Sequence, residues 1–461
     1  MTSHRLTRRV RIARPAAEVF AWHERPGAFE RLQPPWEQVQ VIRRSGGIRD
    51  GATVSVRTKA GPVWLRWDVR HHDYVAGVQF RDHQQRGPFR QWEHLHRIEP
   101  DGPDACILVD DITYALPGGA VGRLAEAGVR RRLERMFDYR HAVTKADLET
   151  TNGTSNGRSL RILVSGASGL VGRVLVPLLT TQGHSVVRLV RRASTGPDEA
   201  RWDPMRGTLD LTGVGRIDAV VNLAGAGIAD GRWSVPRRRE ILESRVNGTR
   251  TLVAALARLP ERPDVLINAS AVGFYGDRGD EVLTESAAGG RGFLAEVCQA
   301  WETEMAAAEV IGLRTVALRT GMVLTPAGGA LARMLPLFHG GLGGPLGSGR
   351  QWTGWITPDD LCGMILAAIA DARWRGPVNA VAPEVMRQRE FASTLGRVLR
   401  RPVFLPTPAW ALTLGFGEMA RELLLSSARV EPAKARALGY TYRHGALSAA
   451  LTHMLGRRGS R

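Results

Sequence analysis

The run Arg161-Ile162-Leu163-Val164-Ser165-Gly166-Ala167-Ser168-Gly169-Leu170-Val171-Gly172 constrains this chain more than any other stretch. Residues 162–164 are apolar and partly β-branched, which suits a strand buried on both faces of a parallel sheet. Glycines follow at 166, 169 and 172. Val174, Leu175, Leu178 and Leu179 then share one face of a predicted helix over 173–181. Gly183 ends that helix, and 185–190 reads as a second strand. A strand, glycine loop, helix and strand within about 30 residues is the unit that binds a dinucleotide. The first glycine permits the tight turn, the second lets backbone approach a pyrophosphate, and the third lets helix pack on strand. The helix N-terminus presents free N–H groups and the positive end of its dipole. Gly166, Ser168, Gly169, Leu170, Val171 and Gly172 are therefore the candidate pyrophosphate-binding residues. The chain has 52 glycines, so the flanking elements rather than the glycines make this reading specific.

From 159 onward strand and helix patterns keep alternating. Strands are predicted over 219–225, 265–270 and 315–319, and helices over 237–259 and 291–310. This is the pattern of an α/β, Rossmann-type doubly wound parallel sheet. Ligands of such sheets lie at the carboxyl ends of the strands, where 222–225, 270–276 and 319–321 fall. The second strand ends Val190-Arg191-Arg192. A site for NAD usually carries an acid there to hold the ribose 2′-hydroxyl. A pair of cations suits a 2′-phosphate instead, so NADP is the expected cofactor, with Arg191 or Arg192 as the clamp. The competing reading is two solvated arginines.

Residues 1–149 are organised differently. A first strand at 10–13 and a helix opening at Pro15 precede period-two runs at 39–43, 52–58, 63–69, 75–80, 89–98 and 106–116. A helical stretch over 120–148 closes the segment. Trp92, His94 and His96 alternate and so share one sheet face, either the wall of an interior cavity or a solvent-facing surface. Residues 150–158 contain polar and small residues throughout most of their length and read as a linker. The expected division is 1–149, the linker 150–158, a dinucleotide-binding domain over 159–325, and a substrate lobe with a C-terminal domain over 326–461.

The short helix, long antiparallel sheet and C-terminal helix of 1–149 resemble the α+β helix-grip fold of the polyketide-cyclase and START-like (SRPBCC) superfamily. The run 87–96, Gly-Pro-Phe-Arg-Gln-Trp-Glu-His-Leu-His, is similar to versions fused to reductase-like domains. The resemblance implies an apolar cavity and a lipophilic ligand. Residues 159–325 resemble the extended, epimerase-like branch of the short-chain dehydrogenase/reductases. Asn222-Leu223-Ala224-Gly225 resembles the segment beside the adenine ribose, which implies cofactor roles for Asn222, Ala224 and Gly225. Residues 270–276, Ser-Ala-Val-Gly-Phe-Tyr-Gly, resemble the serine strand end of sugar epimerases. Arg232-Trp233, Ser244-Arg245, Phe274-Tyr275-Gly276-Asp277 and Trp301-Glu302 are similar to a subfamily called epimerase-family or atypical NADP-dependent oxidoreductases, some labelled cell division inhibitors.

The superfamily's Tyr-X-X-X-Lys helix is missing. No lysine lies between Lys145 and Lys434. Anchored on Glu302, Leu294 and Cys298 occupy the Tyr and Lys positions. The remaining candidates are Tyr275 for proton transfer, otherwise a packed aromatic, and Ser270 to orient a carbonyl. Cys298 reads as a buried cysteine rather than a nucleophile. Two functions stay open: an NADP(H)-binding, epimerase-like oxidoreductase acting on a small or lipophilic carbonyl or hydroxyl compound, or a non-catalytic dinucleotide sensor coupled to the lipophilic-ligand domain.

Charge narrows the field. The net charge is +18. Residues 1–149 carry 25 basic and 19 acidic groups, leaving 38 and 26 for the rest of the 63 and 45. The excess, +6 and +12, follows length, whereas a nucleic-acid footprint is concentrated. No specific nucleic-acid partner is expected, and Arg130-Arg131-Arg132 and Arg237-Arg238-Arg239 read as solvated helix faces. No apolar run is long enough to span a membrane. Three separated cysteines, Cys106, Cys298 and Cys362, point to a reducing, cytoplasmic setting and to no metal site. Thr357-Pro358-Asp359-Asp360 has the order of a helix start, and the glycine-rich 340–349 is either a loop over substrate or a plain surface loop.

Overall fold

Period-two patterning near the N-terminus folds into a single antiparallel sheet. The computed structural model describes residues 3–150 and 158–457, without the side chains of 120, 121 and 123. The linker expected over 150–158 falls, for 151–157, outside the described residues. The chain divides into two units, the first running to Thr151 and the second taking most of the remainder.

In the first unit β1 (His4–Ile12) is followed by α1 (Ala16–Glu24) and α2 (Ala28–Arg31). Then come β2 (Val39–Ser45), β3 (Thr53–Ala60), β4 (Val63–Val75), β5 (Gln79–Arg86), β6 (Gln91–Pro100), β7 (Cys106–Ala115) and α3 (Ala120–Glu149). The sheet order is β1-β7-β6-β5-β4-β3-β2. One face of the sheet buries Leu6, Ile12, Trp92, Ile112 and Tyr114, with Leu133 and Phe137 of α3 packed on it. Two expected strands, 63–69 and 75–80, come out differently. β4 runs on to Val75, and the pattern at 75–80 straddles a hairpin in which Val75 pairs with Gln79. Gly77 sits in the left-handed region there, at φ +75°, where glycine meets no steric penalty.

The second unit contains β8 (Arg161–Ser165), α4 (Gly172–Thr181), β9 (Ser185–Val190), β10 (Glu199–Asp203), β11 (Thr208–Leu209), β12 (Ala219–Asn222), α5 (Val235–Ala257), β13 (Val265–Ala271), β14 (Val282–Leu283), α6 (Phe293–Val310), β15 (Arg314–Thr320), β16 (Met322–Val323), α7 (Gly329–His339), β17 (Trp352–Thr353), β18 (Trp355–Ile356), α8 (Pro358–Ala370) and β19 (Gly376–Ala380). The main sheet is ordered β11-β10-β9-β8-β12-β13-β15-β19. All of its pairings are parallel except β10 with β11. Both faces are covered. Ile162 and Val164 pack with Leu175, Leu178 and Leu179 of α4 on one side. Leu163 packs with Leu252 and Leu256 of α5 on the other. That is why the strand reads as an unbroken apolar run.

The boundary expected at 325 cuts through this sheet. β19 pairs with β15 through Val316 to Thr320, and the buried face of α8 belongs to the same core as β8. β10 and β11 also went unanticipated, because neither carries an apolar run. α5 opens on Ser234, whose side chain accepts from the Arg237 N–H, with a proline in the first turn. α8 opens on Thr357 in the same way. Asp360, expected only to favour the helix start, is fully buried and also accepts the Arg443 and His444 N–H groups at 2.7 and 3.1 Å. Within residues 340–349, Leu346 bridges to Thr407 and its carbonyl accepts from Gln351 at 3.0 Å.

Candidate functional site

The carboxyl ends of β8, β12, β13 and β15 converge, and the glycine loop lies at the first of them. Gly166 adopts φ +68°. A Cβ there would stand 2.8 Å from the Leu223 carbonyl carbon. A Cβ on Gly172 would meet the Gly166 oxygen at 2.3 Å and the Ala167 Cα at 2.6 Å. The loop is closed by Gly169 N–H to Gly166 O at 2.9 Å and Arg173 N–H to Gly169 O at 3.0 Å. α4 starts at Gly172, so the Leu170, Val171 and Gly172 amides lie at the helix entrance, where donors have no intrahelical acceptors. Exposed Ser168 lies beside them.

Behind the loop is a buried polar lattice. Ser165 Oγ donates to Asn222 Oδ1 at 2.5 Å and accepts the Leu223 and Ala224 N–H groups at 3.1 and 3.2 Å. Asn222 Nδ2 donates to Asn268 Oδ1 at 2.6 Å and Thr249 Oγ1 at 3.0 Å. Trp301 Nε1 donates to the same Thr249 hydroxyl at 2.9 Å. The Asn222 side chain is thus used up in tying strand ends together.

At the end of β9 the two arginines have different surroundings. Arg192 forms a two-pronged pair with Glu199, at 2.8 and 2.6 Å. That pair, together with the Thr195 N–H, pulls the Glu199 carboxyl down to about 2. Arg191 is exposed.

Ser270 and Tyr275 are placed otherwise than expected. Ser270 is buried, and its one proton goes to Glu302 Oε1 at 2.6 Å. Glu302 pairs with Arg319 through both oxygens, at 3.0 and 2.8 Å. Arg319 Nη1 donates to the Tyr275 hydroxyl at 3.0 Å, and that hydroxyl donates to Asn379 Oδ1 at 2.6 Å. Tyr275 is wholly buried. In this arrangement the phenol oxygen and the serine proton are both engaged within the protein. Ser270 and Tyr275, the residues expected to orient a carbonyl and to transfer a proton, thus both belong to a chain of buried bonds that ties β13 to α6, β15 and β19.

Leu294 and Cys298 are buried at the positions of the missing pair. Burial pushes the Cys298 thiol up to about 11, so it is neither acid nor nucleophile near neutrality. What sequence reading missed is Arg245 of α5. It is buried, with its Cζ 5.0 Å from the Trp301 ring centre. Among the described residues it donates to the Ala226 and Ile241 carbonyls, at 3.1 and 2.9 Å. Among the described residues no carboxylate pairs with it, and burial pulls it down to about 10. It packs under Gly225, where a Cβ would meet the guanidinium at 2.9 Å, and its charge acts on Cys298. The only available signal was its place in Ser244-Arg245.

Comparison with known proteins gives this geometry a lineage. Residues 162–380 match the model of the NAD dependent epimerase/dehydratase family. An epimerase family protein of Mycobacterium bovis is 41% identical over 298 residues, 65% of this chain and 98% of that protein. The chain belongs to the epimerase family. Residues 407–454 match a domain of unknown function, and 3–154 match polyketide cyclase / dehydrase and lipid transport proteins. The human epimerase family protein SDR39U1 is 35% identical, over 64% of this chain and all of that one. Its isoform 2, solved with NADPH, superposes with a TM-score of 0.60 at 34% identity, covering 64% of this chain and 99% of that one. A nucleoside-diphosphate sugar epimerase from Corynebacterium glutamicum spans both units, with a TM-score of 0.80, 33% identity and coverage of 98% and 90%. The chain is thus an epimerase-family, NAD(P)-binding Rossmann protein with an N-terminal helix-grip unit. No helix of the described residues is long and apolar enough to cross a membrane.

Proposed function

We propose that the second unit binds NADP(H) through the backbone of 166–172 and exchanges hydride with a lipophilic carbonyl or hydroxyl compound. The buried, carboxylate-free Arg245 carries this reading. When hydride adds to a carbonyl carbon, charge grows on its oxygen, and a fixed cation in a dry site stabilises that charge without giving up a proton. Arg245 supplies the cation where the Tyr–Lys pair is absent, and water supplies the proton. Removing one such group costs about 100- to 1,000-fold in turnover. With a carbonyl panel read at the nicotinamide absorbance, Arg245→Met is expected to lower kcat/KM about 100-fold, to leave NADPH affinity within about threefold, and to be partly rescued in Arg245→Lys. Full turnover in Arg245→Met would remove that role.

The 2′-phosphate is assigned to Arg191, because Glu199 already holds Arg192. Arg191→Ala is expected to cut the NADPH-over-NADH preference about tenfold, the worth of one charge-assisted contact. Arg192→Ala should cut it less. Paired titrations with both cofactors test this, and an unchanged ratio in Arg191→Ala contradicts the clamp.

A second reading, a non-catalytic cofactor sensor, is favoured by one observation: Ser270 and Tyr275 are both spent on structural bonds. It predicts NADPH binding with no oxidation by any carbonyl compound. In either case the first unit offers a lipophilic molecule a cavity of about 320 Å³, lined by Leu32, Val54, Val56, Trp67, Phe89 and Leu133.

A further inference from the structure

The cavity of the first unit has a polar end with an unusual composition. Asp82 of β5, His94 and His96 of β6, and Arg140 of α3 all border the space. Sheet register brings the acids and histidines together: Asp82 lies opposite His94, and His96 lies opposite Asp110 of β7. Trp92, His94 and His96 therefore face inward, which settles the alternative left open by their alternation. Asp82, His94 and Asp110 are buried, and the His96 side chain keeps 13% exposure, toward the cavity.

The bonds divide the ring nitrogens into two sets. Asp110 Oδ1 lies 2.9 Å from His94 Nε2 and 2.7 Å from His96 Nδ1. Its other oxygen lies 2.5 Å from His141 Nε2. One carboxylate thus takes an N–H from both histidines and fixes both tautomers. The opposite nitrogens, His94 Nδ1 and His96 Nε2, point to a single atom, Asp82 Oδ2, at 3.1 and 3.7 Å. The second oxygen of Asp82 accepts the Trp92 indole N–H at 3.0 Å. Ligand atoms of Asp82, His94 and His96 all lie within 4.8 Å of one another.

We propose that His94 Nδ1, His96 Nε2 and Asp82 Oδ2 form a site for a divalent first-row transition cation, open to the cavity. A cation held about 2.0–2.2 Å from each donor needs donors roughly 3 to 3.5 Å apart; the His94 separation from Asp82, 3.1 Å, falls within that range, and the His96 separation, 3.7 Å, lies just above it. Two imidazoles and one carboxylate suit Zn²⁺ or Fe²⁺ rather than Mg²⁺ or Ca²⁺, which prefer all-oxygen shells. The outer contacts have the form metal sites use: each imidazole gives its remote N–H to a carboxylate, and the ligating carboxylate is itself hydrogen-bonded. Three protein ligands with one side open is the arrangement that leaves room for water or substrate. The ligand class that follows is an apolar molecule with one oxygen donor, its body among the cavity's aliphatic and aromatic walls and its oxygen on the metal beside Arg140. Sequence reading expected no metal because it looked to cysteine spacing, whereas these ligands come from two neighbouring strands.

A built-in control exists. His72, His83 and Glu93 form a second, more exposed cluster with ligand-like spacing. The test uses the full chain, stripped with chelator, loaded with Co²⁺ or Zn²⁺ and desalted. The expected result is one retained equivalent per chain, a Co²⁺ visible spectrum with nitrogen ligation, and retention in His83→Gln. Asp82→Asn combined with His96→Gln should lower retention at least tenfold while circular dichroism and NADPH titration stay unchanged. No retained metal in the wild type overturns the proposal. So does retention in the double variant, or loss in His83→Gln with retention in the double variant. Should the double variant fail to fold, the wild-type Co²⁺ spectrum decides, and one without imidazole ligation counts against the site.

Discussion

Gly172→Ala is expected to lower NADPH affinity at least 100-fold, about 2.7 kcal/mol, and to lower the melting temperature of the second unit. The new methyl would lie 2.3 Å from the Gly166 oxygen and 2.6 Å from the Ala167 Cα. Both are backbone atoms, so no side-chain rotation relieves the overlap. The loop must shift, and the amides at the entrance of α4 shift with it. Gly169→Ala provides the contrast. Its methyl meets protein only at the Gly166 oxygen, at 3.1 Å, a strain that a few tenths of an ångström relieve. It should leave the melt almost unchanged and still weaken binding, because the methyl occupies the space the pyrophosphate needs. Fluorescence titration and thermal melts on the two variants separate the roles. Equal affinity loss with equal melting loss would mean that both glycines serve packing alone.

Glu302→Leu is expected to destabilise the second unit by about 3–5 kcal/mol, the usual consequence of stranding one member of a buried ion pair. Arg319 keeps only 5% side-chain exposure. Without Glu302 its remaining polar partners are the Tyr275 hydroxyl and the Glu285 carbonyl, at 3.0 and 3.3 Å, and its Cζ lies 3.4 Å from the Phe274 ring centre. These do not neutralise a guanidinium. Glu302→Gln keeps the shape and part of the bonding, so its loss should be smaller. Tyr275→Phe should cost about 1–3 kcal/mol, the penalty for leaving Asn379 and Arg319 each short of a partner. Urea unfolding followed by fluorescence measures all three. If Tyr275→Phe kept full stability and abolished turnover, the buried network would be catalytic after all.

Much of the second unit could be read from residues alone, because its strongest signals are local. An apolar run of three, a loop with glycines three apart and an amphipathic helix need no partner to be recognised. Asn222 was harder. A polar side chain at a strand's carboxyl end is required equally by a ligand and by a neighbouring strand's unpaired amide, and only Ser165, Thr249 and Asn268 arriving from three other elements decide which. The bonds of Ser270 and Tyr275 were hidden for the same reason: their partners, Glu302, Arg319 and Asn379, lie between 32 and 104 residues away. Arg245 was hidden by composition, since one arginine among so many carries no mark of being the buried one without an acid. In the first unit the alternation of Trp92, His94 and His96 was legible but its sense was not. Irregular register between β4 and β5, at Asp68/Val69 and His72/Val75, breaks any count of faces carried across from a neighbouring strand.

Backbone amides at 166–172 are proposed to hold a nicotinamide dinucleotide. Equilibrium titration of the full chain with NADPH and with NADH, followed by tryptophan fluorescence and by melting temperature, addresses it most directly. One saturable site per chain, a raised melt, and tighter binding of NADPH than of NADH are expected. Saturating concentrations of both cofactors with neither signal moving would contradict it.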